Sequence, residues 1–335
     1  MPFRAGPRNL ITDVAGLRVG NAHLDRYKSG TTVLVCDEAF PAGVQVLGGA
    51  PGTRETDLLE SHNSVAAIDA IVLSGGSAFG LDAASGAQAA LREDGRGYAV
   101  RGHTIPIVPA AIVFDLANGA DKGWGRYAPY RELGYMGVRN ADAHFELGSV
   151  GAGAGALVAG LKGGLGSAST VLDSGFSVGA LAVVNATGSV TMGRTRHFWA
   201  APFEVGDEFG GLGLPHPLPA AVADVRWKFA DRPAEGASTT IAVVATDATL
   251  TKAECKRLAI AAHDGFARAI WPTHTPADGD LVFAVATGRA GRQPDFREAM
   301  DLFAAAGATM ARAIARGVHE AHAVNGDLYP VWSSL

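Results

Sequence analysis

Apolar positions alternate or run together in short blocks along most of the chain, and glycine and proline punctuate the blocks. Thr31 to Asp37, with Val-Leu-Val at its centre, and Gly43 to Leu47 predict strands. Ala70 to Leu73 predicts a third strand, running into Ser74-Gly75-Gly76-Ser77. From about Ala78 to Arg92 the period lengthens: Leu81, Ala84, Ala87 and Leu91 share one face, as in a helix. Ile105 to Asp115 is apolar and is expected to line the core, and Ala154 to Leu161 is expected to be a glycine-flanked helix. Ser177 to Asn185 and Gly188 to Met192 read as two strands joined by the turn Ala186-Thr187.

Arg196 to Ala237 breaks this pattern. Gly206 to Ala220 is dense in glycine and proline, and Arg232-Pro233 follows, so the segment reads as a connector of a length usually tied to function or processing. Beyond it the pattern predicts a strand (Thr239 to Thr246), a helix (Lys252 to Ile270), a strand (Leu281 to Thr287) and a long helix (Asp295 to Ala321). Two strands and two helices cannot bury their apolar faces alone, so they belong to one sheet-containing α+β or α/β domain with the first part of the chain.

Composition narrows the class. Hydrophobic residues make up 48% of the 335 and charged residues 18%, which suits a compact, soluble protein with a large core. No apolar run approaches the ~20 residues of a membrane helix. The start, Met1-Pro2-Phe3-Arg4-Ala5-Gly6-Pro7, lacks an apolar signal core, which predicts a cytoplasmic location. The net charge of −5, with no basic stripe, argues against a nucleic-acid partner. Cys36 and Cys255 have no metal-ligand spacing and read as packing thiols. The 44 glycines are scattered without a period, which points to backbones packed closely around a site.

The candidate chemistry begins where the connector stops. In Gly236-Ala237-Ser238-Thr239-Thr240-Ile241-Ala242-Val243-Val244, small residues meet adjacent hydroxyls that open a β-branched run. A hydroxyl at such a junction can attack the carbonyl before it. Cleavage between Ser238 and Thr239 would leave Thr239 as an N-terminal residue whose own amine serves as the base for its hydroxyl. His274-Thr275-Pro276-Ala277-Asp278-Gly279-Asp280 precedes the strand at Leu281; Asp-Gly is a common turn pair, but two carboxylates at a strand entrance can also hold a hydroxyl, an ammonium or a metal. Lys162 sits among Gly160, Gly163 and Gly164, where the default is a solvated charge and the alternative a site lysine. Asn185 ends an apolar strand, where an amide either shapes a turn or donates to an oxyanion. Gly151-Ala152-Gly153-Ala154-Gly155 lacks the ending of a phosphate loop, and Gly75-Gly76-Ser77-Ala78-Phe79-Gly80 misses the nucleophile-elbow spacing by one residue.

The blocks Ser238 to Asp247 and Asp278-Gly279-Asp280 with Phe283-Ala284-Val285 resemble the peptidase S58 family, which includes L-aminopeptidase/D-esterases, β-aminopeptidases and nylon-oligomer hydrolases. The likeness extends over nearly the whole chain, through Asp13 to Gly20, Gly75 to Leu81 and Gly151 to Gly155. The resemblance implies an αββα sandwich of N-terminal-nucleophile-hydrolase type. It also implies a single domain that cuts itself into residues 1–238 and 239–335, and a homotetramer of the cleaved units. By the same resemblance Thr239 is the nucleophile, and Lys162, Asn185, Asp278 and Asp280 match the nylon-oligomer branch.

Three positions depart from the family pattern. Ser238 stands where Asn or Gly is common, Ile112 where aminopeptidase members carry a glutamate for the substrate's amine, and Phe114 where a tyrosine often assists the oxyanion. An aliphatic Ile112 predicts a pocket for uncharged, extended amides. The expected substrates are short linear oligoamides of the 6-aminohexanoate type, with small peptides and amino-acid amides as the alternative and a non-catalytic binding module as a distant one. No metal or organic cofactor is called for.

Overall fold

The computed structural model describes residues 3–230 and 238–335. Asp231 to Ala237, including Arg232-Pro233 and the first two residues of the predicted junction, lie outside the described residues.

Two sheets stack face to face with helices on both outer surfaces. The larger sheet has six strands in the order Phe3–Arg4, Gly164–Leu172, Ser177–Asn185, Thr239–Thr246, Leu281–Ala286, Ala42–Val46. The smaller has five: Leu17–Leu24, Ser29–Phe40, Ile68–Ser74, Ala110–Ile112 and Thr53–Arg54. Helices α1 (Ala83–Glu93) and α2 (Tyr130–Arg139) cover the smaller sheet; α3 (Lys252–Ala269) and α4 (Phe296–His319) cover the larger.

Side-chain alternation explains the layering. Leu181, Val183, Ile241, Val243, Leu281 and Phe283 point inward, against Val19, Leu34, Ile71 and Leu73 of the facing sheet. Their sequence neighbours Ala182, Val184, Ala242, Val244, Val282 and Ala284 point outward, against Leu258, Ala262 and Phe266 of α3 and Met310 of α4. The central strands are therefore buried on both faces and read as continuous apolar runs. Capping boxes at Thr251/Glu254 and Asp295/Glu298 start α3 and α4 where the sequence pattern places them.

Several expectations are corrected. Ala154 to Leu161 is not a helix: a 3-10 turn at Gly151–Gly153 leads into a hairpin of Leu157–Val158 and Leu161–Lys162, with Gly160 at φ +79° in its turn. Gly188 to Met192 forms no strand beside Ser177–Asn185; Ser189 bridges to Trp271 and Thr191 to Phe198 instead. That leaves the edge of Ser177–Asn185 free to pair with Thr239–Thr246. The first turns of the helix expected from Ala78 are 3-10, and α1 begins at Ala83. Cys36 and Cys255 are buried free thiols whose pKa burial pushes up to about 12, as suits packing residues. Among the described residues no helix is long and apolar enough to cross a membrane.

Candidate active site

Strand register brings the site together. Thr239 opens the central strand and pairs antiparallel with Asn185, the last residue of its neighbour. On its other side Thr239–Thr246 runs parallel to Leu281–Ala286, so Asp278-Gly279-Asp280 enters the sheet beside Ser238-Thr239-Thr240. An isolated parallel bridge between Ser238 and Asp278 extends the pairing. Parallel neighbours present the same end of each strand at one edge of the sheet, which puts residues distant in sequence at one point.

At that point Thr239 Oγ1 donates to the Ser238 carbonyl at 2.6 Å, and the Gly279 amide donates to the same oxygen at 2.9 Å. Ser238, Thr239, Asp278 and Asp280 are all buried. A side chain at 279 would stand 2.8 Å from Thr239 Oγ1 and 2.6 Å from the Ala50 carbonyl, so only glycine lets the amide approach.

The two aspartates hold different partners. Asp278 Oδ1 accepts from the Thr187 amide and hydroxyl at 3.2 and 2.9 Å, and Oδ2 from the Thr275 amide and hydroxyl at 3.1 and 2.6 Å. Burial, reinforced by the nearby Asp280 charge, pushes the Asp278 carboxyl above the usual range against these hydrogen bonds. Asp280 Oδ1 accepts the Thr240 amide at 2.7 Å, and Oδ2 accepts Thr273 Oγ1 at 3.0 Å and the His274 amide at 3.1 Å, with His274 Nδ1 at 2.9 Å.

Asn185 is held from three directions. Its Oδ1 accepts the Leu157 amide at 3.0 Å, and its Nδ2 donates to the Phe114 carbonyl at 3.0 Å. The third partner is Lys228, whose Nζ reaches Asn185 Oδ1 at 3.1 Å, Asn185 O at 3.0 Å and Leu157 O at 3.1 Å. Burial lowers the Lys228 pKa to about 7, with Asp278, Asp115 and Asp280 drawing it upward. Ile112 lies at the end of its short strand, buried near Gly52, and Pro51 touches the space over Gly279.

Lys162 is placed differently from the expectation. Its Nζ pairs with Asp327 at 2.7 Å, an anion it shares with Lys28 at 2.8 Å. The lysine on Asn185 is Lys228, from the connector, which sequence reasoning missed. Lys228 is the buried member of a stretch that exposes Val225 and Trp227, and nothing in the spacing marks it. His274 stood inside the quoted acidic motif without a role; its contact with Asp280 comes from the chain folding back at residues 273–274.

The sequence model of peptidase family S58 matches residues 9–329. An uncharacterised aminopeptidase of Mycobacterium tuberculosis is 43% identical over 350 residues, covering 96% of this chain and 98% of that protein. A 6-aminohexanoate-oligomer endohydrolase of Kocuria sp. is 28% identical over 300 residues, covering 86% of this chain and 78% of that one. Among solved structures, the L-aminopeptidase D-Ala-esterase/amidase of Ochrobactrum anthropi, described as a variant of the N-terminal-nucleophile-hydrolase fold, superposes with a TM-score of 0.67. It is 20% identical, over 98% of this chain and 90% of that one, and it matches the two-sheet sandwich described above.

Proposed function

The chain belongs to peptidase family S58, and on that premise we propose that it is a self-processing amidohydrolase whose nucleophile is Thr239. Membership makes it a hydrolase of amide bonds. The observation that carries the finer reading is the doubly bonded Ser238 carbonyl: the Thr239 hydroxyl on one side, the Gly279 amide on the other.

In the first stage Thr239 Oγ attacks the Ser238 carbonyl carbon, and the Gly279 N–H stabilises the oxygen as it gains charge. The C–N bond breaks, the hydroxyl proton ends on the Thr239 nitrogen, and an ester joins Ser238 to Thr239 Oγ. Water hydrolyses that ester, releasing the Ser238 carboxyl group and the free Thr239 amine. An α-amine has a pKa of about 7.7–8.0, close to the ideal for a base near neutrality.

In the second stage that amine takes the proton from Thr239 Oγ as it attacks a substrate amide, and passes it to the departing nitrogen as the C–N bond breaks. Water then hydrolyses the acyl ester on Thr239 Oγ and releases the acid. Departure of Ser238 frees the Gly279 N–H for the substrate's oxyanion. The second N–H of Asn185, beyond the one given to Phe114 O, supplies another donor. Lys228 orients the Asn185 carboxamide. Asp278 and Asp280 flank the new amine and favour its approach.

For substrate, we infer short linear amides, uncharged where Ile112 lines the acyl side. The name of the 43% relative favours a second reading, release of amino-terminal residues from small peptides. Denaturing mass spectrometry of the purified protein tests the first stage: fragments 1–238 and 239–335 are expected, and one intact active chain would end the proposal. Hydrolysis of N-acylated and free-amine versions of the same amide then separates the two substrate readings.

A further inference from the structure

Behind Asp280 runs a second polar chain. His274 Nε2 lies 3.2 Å from His263 Nδ1, and His263 Nε2 lies 3.0 Å from the Gln45 carbonyl. His263 is buried on the inner side of α3, with Phe266 packed against both rings. Burial pushes the His263 pKa down to about 4, so this ring is neutral near pH 7.

Counting protons along the chain fixes its state. The Gln45 carbonyl can only accept, so His263 Nε2 carries hydrogen. A neutral imidazole has one N–H, so His263 Nδ1 is bare and accepts the Nε2–H of His274. His274 Nδ1 then faces Asp280 Oδ2 at 2.9 Å, and one of the two must supply a further proton. Among the described residues every other hydrogen-bond partner of the Asp280 carboxylate is a donor: the Thr240 amide, the Thr273 hydroxyl and the His274 amide. Such donors stabilise the ionised carboxylate, and imidazole is the stronger base of the two. The proton belongs on His274.

We propose that the chain Gln45–His263–His274–Asp280 holds His274 as an imidazolium, and that His274 is a positioning residue that fixes Asp280 on the Thr240 amide and so sets the backbone of Thr239. The link to catalysis rests on the reading of Thr239 as nucleophile; the proton placement does not. His274 pairs with Asp280, which has Asp278 beside it; Asp264 on α3 acts on His263, and Lys228 from the connector acts on Asp278 and Asp280. A His274 imidazolium offsets one of the two adjacent carboxylate charges and so eases the repulsion between Asp278 and Asp280.

The test is two-bond 1H–15N spectroscopy of ring-labelled histidine at neutral pH, in the processed protein and in the Thr239→Ala chain. One histidine, lost in His274→Asn, is expected to carry protons on both ring nitrogens. Another, lost in His263→Asn, is expected to be the neutral Nε2–H tautomer. A His274 ring with one bare nitrogen would overturn the proposal. Hydrogen exchange at the Thr240 amide reads the positioning: His274→Ala should lose protection there, and His274→Asn, which keeps a donor toward Asp280, should restore part of it. Unchanged protection in His274→Ala would refute the positioning role. In the processed enzyme His274→Ala should lose kcat with KM unchanged. If wild type shows the imidazolium yet hydrolyses no amide, the nucleophile reading fails and the proton placement stands.

Discussion

The amide of Gly279 donates to the carbonyl of Ser238 at 2.9 Å, on the same oxygen that accepts the Thr239 hydroxyl. A carbonyl held between its attacker and a backbone donor is prepared for addition before any substrate arrives. Gly279→Ala should therefore slow self-cleavage. The added methyl would stand 2.6 Å from Ala50 O and 2.8 Å from Thr239 Oγ1, which displaces the amide or the hydroxyl. Loss of one oxyanion donor costs roughly 10²–10³ in rate. Denaturing gels of freshly synthesised chain measure it, and wild-type kinetics in this variant would remove Gly279 from the mechanism.

Much of this geometry was legible before folding. The β-branched run after Thr239 gives the central strand, and the apolar pattern beyond it gives α3 and α4. Gly164–Leu172 was not legible as a strand, because Gly, Ser, Ala and Thr carry little strand signal. Its small polar residues serve α4 instead: Arg312 donates to Ser169 O at 2.8 Å, and Thr170 meets Thr309 at 2.6 Å. The strand Leu17–Leu24 and helix α2 were missed as well, since neither stands out by length or period. In the site, residues on the strand ends were found because a motif sits there. Lys228 and His263 were not found, since their roles depend on tertiary neighbours far away in sequence.

Asn185→Ala separates the two stages. Among the described residues the Asn185 side chain makes no hydrogen bond to the Ser238 carbonyl; its partners are Leu157, Phe114 and Lys228. The variant should still cut itself into two fragments, while substrate turnover falls roughly 10²-fold, the cost of one missing oxyanion donor. Mass spectrometry and steady-state kinetics on one preparation check both halves. A chain that stays intact would place Asn185 in the first stage instead.

The connector is tied to the body by a buried ion pair. Arg312 on α4 meets Glu208 at 2.5 and 2.9 Å and also donates to Asn9 Oδ1 at 2.8 Å. Burial alone would raise the Glu208 carboxyl, but Arg312, Asn9 and the Val205 amide hold it below its ordinary value. Arg312→Met takes away the close cation and leaves the carboxylate Asn9, the Val205 amide and Arg316 at 3.9 Å, and should cost about 3 kcal/mol. Pairing it with Glu208→Gln should recover part of the loss. Because the folded value is depressed, the stabilisation from Glu208 is complete above the ordinary glutamate range near ~4.3 and fades as pH falls through the folded value. Urea unfolding of the Thr239→Ala background, as one chain, measures both effects; equal stability of wild type and Arg312→Met would exclude the tie.

Lys228 makes the opposite pH signature. Its pKa falls from 10.5 to about 7 because the site removes the ammonium from water, and three carbonyl-type oxygens return only part of that loss. The unfolded chain therefore binds more protons than the folded one between about pH 7 and 10.5, and stability should rise with pH across that window. Below about pH 7 both states are protonated and the cost of burying the charge is fully present, on the order of 5 kcal/mol. Lys228→Met removes this dependence. In the Thr239→Ala background, the Lys228→Met substitution should be most stabilising at low pH, and its advantage over the parent lysine should shrink as the pH rises. Unfolding curves of the two chains at several pH values give that difference directly. A flat difference would mean that Lys228 is not desolvated as its three oxygen contacts imply, and would remove it as the group that orients Asn185.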